Sequence, residues 1–404
     1  MPELVTDVLV IGAGPAGSAT AALLTRQGLG VVVIDRASFP RDKPCAEYLS
    51  PEAVRLLDRL NVVEKLERDG ARPLAGTVVR GPRGSQLHGL FARARPAPFR
   101  PTGLSVTRWV LDEHLVRTAK EAGVMVLEQT ALVSLLMEGQ AVAGAEVQGP
   151  GGRQVIRSRL TVGADGLRSM VARRLRLRAQ GRLRRVGLVA HLSGIARLGE
   201  SAEMHVGSDG YVGLNLVGDN LANVALVIPA SAARAARGRL ADFFFERLDR
   251  FPAVRGRLDR AGLASPVLVT GPFATRSRRA VVDGAALVGD AADFFDPFTG
   301  EGICAALRGA ELLAEHVPPA IRKPGPVLAE QLRGYSRARW RAFAGKWMVE
   351  RLIGYGMAWP ALFDRAVGRL GRRAGMAHTF IGVTGDFVPA RRVLNPVFLA
   401  RMVL

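Results

Sequence analysis

Ten residues near the start of the chain, VLVIGAGPAG from Val8 to Gly17, constrain its fold more than any others. An apolar run turns through three glycines at GxGxxG spacing, and a second apolar run, VVVIDR, follows with Asp35 near its end. Strand, glycine turn, helix, strand and acid in this order make the βαβ unit that holds a dinucleotide. Gly12 permits the tight turn, Gly14 lets the backbone approach a pyrophosphate, and Gly17 lets the helix pack closely on the strand. Ala13, Pro15 and Ala16 complete the helix start, whose free N–H groups and positive dipole end suit phosphates. Asp35 is expected to accept hydrogen bonds from the adenosine ribose, with Arg36 beside it at the same end of the cofactor. The motif alone does not separate NAD from FAD.

A second signal, GDAADFFDPFTGEGI from Gly289 to Ile303, separates them. A Gly-Asp turn opening another helix so far downstream is not needed to hold NAD. The segment resembles the one that clasps the ribityl chain and flavin end of FAD in the large family of FAD-dependent hydroxylases and reductases, and with that resemblance the two motifs point to a flavoenzyme.

The 404 residues, 48% of them apolar, suffice for two lobes. Residues 4–11 and 30–35 read as buried strands around a helix at 15–27. SPEAVRLLDRL (Ser50–Leu60) has a serine N-cap, proline in the first turn and apolar residues at helical spacing. Residues 71–101 predict a strand pair with a loop, 107–122 and 167–175 helices, and 131–147 alternating strands. Between 186 and 229 four short runs recur about every ten residues, the pattern of an antiparallel sheet. A helix at 237–249 and a strand at 267–273 follow, then the nucleotide-binding texture returns. The expected fold is therefore α/β: a Rossmann-type FAD-binding domain made of 1–75, 100–185 and 270–330, an inserted antiparallel sheet domain for substrate from 76–99 and 186–269, and a helical region over 331–404.

No apolar run is long enough to cross a bilayer, the start leaves no room for a signal peptide, and Cys45 and Cys304 are the only cysteines. A cytoplasmic protein is expected. The formal charge of +20 comes without a nucleic-acid motif, and only five of the 56 basic residues are lysine, so a solvated arginine-rich surface is the reading. Peripheral contact with an anionic membrane surface or acidic carrier stays open. His114, His191 and His205 lack metal-ligand spacing, and no metal is expected.

Four segments carry a family resemblance: FPRDKPCAEYLSPEAVRLL (Phe39–Leu57), VTRWVLDEHL (Val106–Leu115), VGADGLRS (Val162–Ser169) and GDAADFFDPFTGEGI. They resemble geranylgeranyl reductase-like flavoproteins, within the wider group built like p-hydroxybenzoate hydroxylase, over roughly residues 1–330. The resemblance implies that Arg108 contacts the FAD phosphate or ribose region and that Asp165 organises the phosphate site. It implies that Gly289 and Asp290 reach the ribityl chain. Gly300, Glu301, Gly302 and Ile303 would bring a helix start against the flavin's pyrimidine edge, stabilising negative charge on the reduced ring. Cys45, Glu47 and Pro297 are the catalytic candidates. Cys45 is a redox or positioning group or a small buried thiol; Glu47 is a general acid or a surface carboxylate. Tyr48, Tyr211, Phe294, Phe295 and Phe298 would wall an apolar substrate pocket.

The resemblance implies NAD(P)H as transient electron donor and two outcomes for the reduced flavin. One is hydroxylation of an aromatic, polyketide or lipid-like substrate through a C4a-hydroperoxide; the other is reduction of isoprenoid double bonds. The PFTGEGI run favours the reductase. Ala46-Glu47, standing where that branch has two glycines, and the lack of tryptophan in the sheet favour the hydroxylase, to which the sequence leans. A flavin halogenase is disfavoured by the missing Trp-x-Trp-x-Ile-Pro motif and its lysine. A non-catalytic lipid-binding protein of the same fold is disfavoured by the intact glycine motif, Asp35 and Asp290.

Overall fold

A computed structural model describes residues 3–236 and 238–403; Arg237, the first residue of the expected helix 237–249, lies outside them, and the helix spans Leu240–Leu248. The strand Glu3–Ile11 runs parallel to Gly152–Gly163 on one side and Val31–Ile34 on the other, with Val8 opposite Leu160 and Val31. Met125–Leu127 and Ala285–Leu287 extend this parallel core, and Ala131–Glu138 and Ala141–Gly149 add an antiparallel meander. Val8 to Ile11 are all buried because both faces of the strand are covered. Val8 and Val10 pack under the helices Pro15–Thr25, Arg108–Glu121 and Gly302–Ile321, while Leu9 and Ile11 meet Ala145, Val147 and Ile156.

The second large sheet has seven strands in the order Leu268–Thr270, Arg185–Ser193, Leu221–Pro229, Tyr211–Leu216, Ser201–Val206, Gly76–Arg80, Gln86–Leu90. It is antiparallel as expected except at one seam, where Ser201–Val206 pairs parallel with Gly76–Arg80. Alternation decides its two faces. Val212, Leu214, Val224 and Leu226 point to a core closed by Phe243, Phe244 and Leu248 of the helix Leu240–Leu248. Tyr211, Gly213, Ala225 and Val227 point the other way, towards the glycine motifs.

The chain ends in helices Arg333–Gly356, Pro360–Gly371, Ala374–Thr384 and Pro396–Val403, of which Pro360–Gly371 and Ala374–Thr384 pack on the outer strands of this sheet. Among the described residues no helix is long and apolar enough to cross a membrane.

Candidate functional site

The glycine turn stands at the carboxyl end of the first strand. Gly12 has φ +102°, and a Cβ there would lie 2.6 Å from the Ala164 carbonyl oxygen; one at Gly17 would lie 1.7 Å from the Gly12 carbonyl oxygen. Any side chain would push strand and helix apart. The Asp35 carboxylate accepts hydrogen bonds from the Ala13 and Ala37 N–H groups, at 2.8 and 2.9 Å, and so braces the turn. Arg36 is exposed, away from the cleft that the glycines open.

That cleft encloses about 1150 Å³, open in part to solvent. At its glycine end three cations converge, of which the sequence reading had named only Arg108. A Cβ on Gly14 would be 3.8 Å from an Arg41 guanidinium nitrogen and 3.9 Å from one of Arg108. Lys43 lines the same wall, and burial, with the Arg108 and Arg41 charges, lowers its pKa despite Asp290 and Asp112. Asp112 balances only part of this charge, bidentate to Arg108 at 2.7 and 2.6 Å and 3.4 Å from Arg41. A surplus of partly buried cationic side chains beside a helix start matches a diphosphate. Asp165 stands close by. Its Oδ2 accepts from the Met170 and Val171 N–H groups, while its buried Oδ1 has no partner.

The second motif forms the opposite wall. Asp290 lines the cleft, and burial raises its carboxyl to about 6 despite Lys43 and Arg108. Pro297, Gly300, Gly302 and Ile303 follow along that wall. Gly300 has φ +74° and would place a Cβ 2.9 Å from the Tyr48 ring, so the chain here also requires glycine. Gly289 instead packs on the first helix, a Cβ there falling 3.0 Å from that of Ala16. Glycine turn, cation cluster, Asp290 and the start of Gly302–Ile321 together fit FAD. They would hold its diphosphate, ribityl chain and ring in that order.

Several expectations are corrected. Glu47 is no surface carboxylate and does not line the cleft: it is 3% exposed with φ +54°. Its Oε1 accepts from the Arg108 N–H at 2.7 Å, and Oε2 lies 2.7 Å from His191 Nε2. Burial alone would lower the His191 pKa, but the bond to Glu47 raises it overall, and the pair ties the sheet to the FAD side. Glu47 therefore positions the segment rather than exchanging protons with a ligand. The Glu301 side chain turns away from the cleft to accept from Ser50 Oγ at 3.0 Å, and burial pushes its carboxyl well up. Phe295 packs outside the cleft against Tyr355.

Cys45 does line the cleft. Its Sγ accepts from the Glu47 N–H at 3.3 Å, and burial raises its pKa against the pull of Arg108, so the thiol keeps its proton. Tyr211 and Phe294 also line it. Tyr211 donates to Asp296 Oδ1 at 2.6 Å, Asp296 pairs with Arg185 at 2.9 Å, and burial first, then Asp296, raises the phenol well above its ordinary range. Tyr48 and Phe298 belong to a second cavity of about 580 Å³ that shares Ala46, Met204, Gly213, Ala225, Pro297 and Gly300 with the cleft. Val79, Phe298 and Phe380 are shared in turn with a chamber of about 1370 Å³ between the C-terminal helices. Sequence reasoning missed this succession. Gly213 and Ala225 were discoverable, since alternation places both on the Tyr211 face of the sheet; the chamber depends on helix packing that no local pattern encodes.

Residues 5–341 match the family model described as the FAD binding domain. The chain belongs to this flavoprotein family. Digeranylgeranylglycerophospholipid reductase of Methanosarcina acetivorans is 28% identical over 349 residues, 84% of this chain and 81% of the relative. Menaquinone reductase of Mycolicibacterium smegmatis is 30% identical over 364 residues, covering 82% and 83%. Among solved structures, a geranylgeranyl bacteriochlorophyll reductase-like protein from Thermoplasma acidophilum superposes with a TM-score of 0.79 at 21% identity, covering 95% of each chain. The myxobacterial halogenase CndH superposes at 0.81 with 22% identity, covering 99% and 95%, which shows a shared fold. This member of the FAD-binding family is an FAD-dependent oxidoreductase of the geranylgeranyl reductase type.

Proposed function

We propose that the protein reduces a carbon–carbon double bond in the isoprenoid chain of a lipid, with NAD(P)H as the electron donor. The carrying observation is the succession of three cavities that share lining residues from the cleft to the C-terminal helices, an arrangement that suits a long apolar chain. The names of the relatives support the same reading better than the hydroxylation to which the sequence leans.

Bound FAD supplies the hydride equivalent for such a reduction. The chain's own residues do the rest. Arg41, Lys43 and Arg108 neutralise phosphate charge, and the start of Gly302–Ile321 offers N–H groups to charge developing on the ring. The sheet face of Gly187, Val189, Met204, Gly213 and Ala225 excludes water and leaves room for an alkene, since glycine and alanine project little into the cleft. Saturating the bond also requires a proton, and Cys45, which lines the cleft with a thiol whose pKa burial raises, gives its Sγ–H to the second carbon and regains a proton from solvent.

Anaerobic reduction with NAD(P)H followed by a polyprenyl lipid tests the assignment. Reoxidation by the lipid with a saturated product supports it; an oxygen adduct of the flavin on exposure to air, with no lipid turnover, refutes it in favour of hydroxylation. Cys45→Ala is expected to slow reoxidation by the lipid by about 100-fold while leaving reduction by NAD(P)H within a few-fold, read by stopped-flow absorbance.

A further inference from the structure

The wall of the C-terminal chamber is also an outer surface. Met348, Leu352, Tyr355, Trp359 and Leu362 line the chamber and are between 43% and 62% exposed. Met348, Leu352 and Tyr355, four and three residues apart, share one face at the end of helix Arg333–Gly356, and Trp359 and Leu362 continue this ridge at the cap and first turn of Pro360–Gly371, all five lining the same chamber. Apolar side chains that face a cavity and solvent together form its mouth. A ridge of this size that includes tyrosine and tryptophan is uncommon on a face bathed only in water.

The charge around the mouth is one-sided. Residues 333–403 contain thirteen lysines and arginines and three acids. The three acids are engaged within the fold: Asp386 and Glu350 face Lys346 at 2.6 and 3.5 Å, and Asp364 accepts from the Arg83 and Ser85 N–H groups at 2.8 and 3.3 Å. Arg351 stands exposed on the ridge, and exposed Arg391, Arg392 and Arg401 adjoin the lining residues Val393 and Met402 in sequence.

We propose that this face docks on an anionic lipid bilayer. Trp359, Tyr355, Leu362 and Met348 enter the headgroup–acyl boundary, and the arginines around them meet lipid phosphates, so that the chamber opens directly onto the acyl region. Amphipathic aromatic rings and long basic side chains are suited to that boundary. A second copy of the chain would bring the same arginines against one another, so charge selects the bilayer over self-association. The lipid character of the chamber's guest rests on the function proposed above; the docking face rests on exposure and charge.

Flotation of the FAD-loaded chain with phosphatidylcholine vesicles, and with equimolar phosphatidylcholine–phosphatidylglycerol vesicles, tests the face. The expected result is flotation with the anionic vesicles only, weakened by salt, with tryptophan fluorescence quenched by brominated lipid. The double variant Trp359→Ser, Leu362→Ser is expected to bind about tenfold more weakly at unchanged FAD content, and Arg391→Ser, Arg392→Ser to lose the salt dependence. Three results would overturn the proposal: no binding to anionic vesicles, equal binding to both vesicle types, or a concentration-dependent dimer abolished by the rim substitutions. A chain that reduces a detergent-dispersed isoprenoid but ignores vesicles sinks the docking face alone. One that floats but reduces no isoprenoid sinks the proposed reaction alone.

Discussion

Asp290 sits between opposed influences: burial raises its carboxyl, while Lys43 and Arg108 pull it down, leaving it at about 6 against an ordinary 3.8. The folded, FAD-free chain therefore holds a proton that the unfolded chain has released. The contribution of Asp290 to stability falls as pH rises from about 4 to about 6, and its full penalty is present above that window. Asp290→Asn is expected to abolish this slope and raise the melting temperature of the FAD-free chain at pH 7, while weakening FAD binding. Thermal melts across the window and a fluorescence titration with FAD check both effects. Stability is given up here for a site, and Lys43, whose pKa is lowered by desolvation and by the Arg108 and Arg41 charges, shows the same trade. The glycines, Asp35 and Asp290 were legible because their chemistry fixes their spacing. The partners of Glu47 were not, because His191 stands 144 residues away and only the folded sheet brings it to 2.7 Å.

The segment from Asp293 to Thr299 is tied to three other elements through Asp296. That carboxylate caps its own turn at the Phe298 N–H, pairs with Arg185 of one strand and accepts from Tyr211 of another, while Arg185 also donates to the Gly354 carbonyl of the helix Arg333–Gly356. Asp296→Ala strands a buried guanidinium and is expected to destabilise the fold by about 3–5 kcal/mol. Tyr211→Phe loses one hydrogen bond, at about 1–2 kcal/mol. Urea denaturation of both variants gives the comparison, and equal losses would refute the hub. At this scale the sequence was informative about strands and helices, since alternation and caps such as Ser50 are local. It was silent about the parallel seam at Gly76–Arg80, because register between distant segments leaves no periodic trace.

Across the whole molecule, the proposed function puts the far end of a long isoprenoid chain between the C-terminal helices rather than in the cleft. Ala366, on the helix Pro360–Gly371, lines the far chamber. Ala366→Trp is expected to lower kcat/KM at least about tenfold for a geranylgeranyl-length chain while leaving a geranyl-length chain within about twofold, measured as the ratio of the two. A uniform loss would show that the chamber does not hold the chain's end.

The parallel core has one more property, and it concerns timing. Its strand Ala285–Leu287 pairs with Gly152–Gly163, and Asp290 and the start of Gly302–Ile321 follow only after it. A ribosome must release most of the polypeptide before any FAD-holding wall opposes the glycine turn. Until then the turn and its cations stand without their counterpart, and a chain cut before Asp290 is expected to capture no FAD.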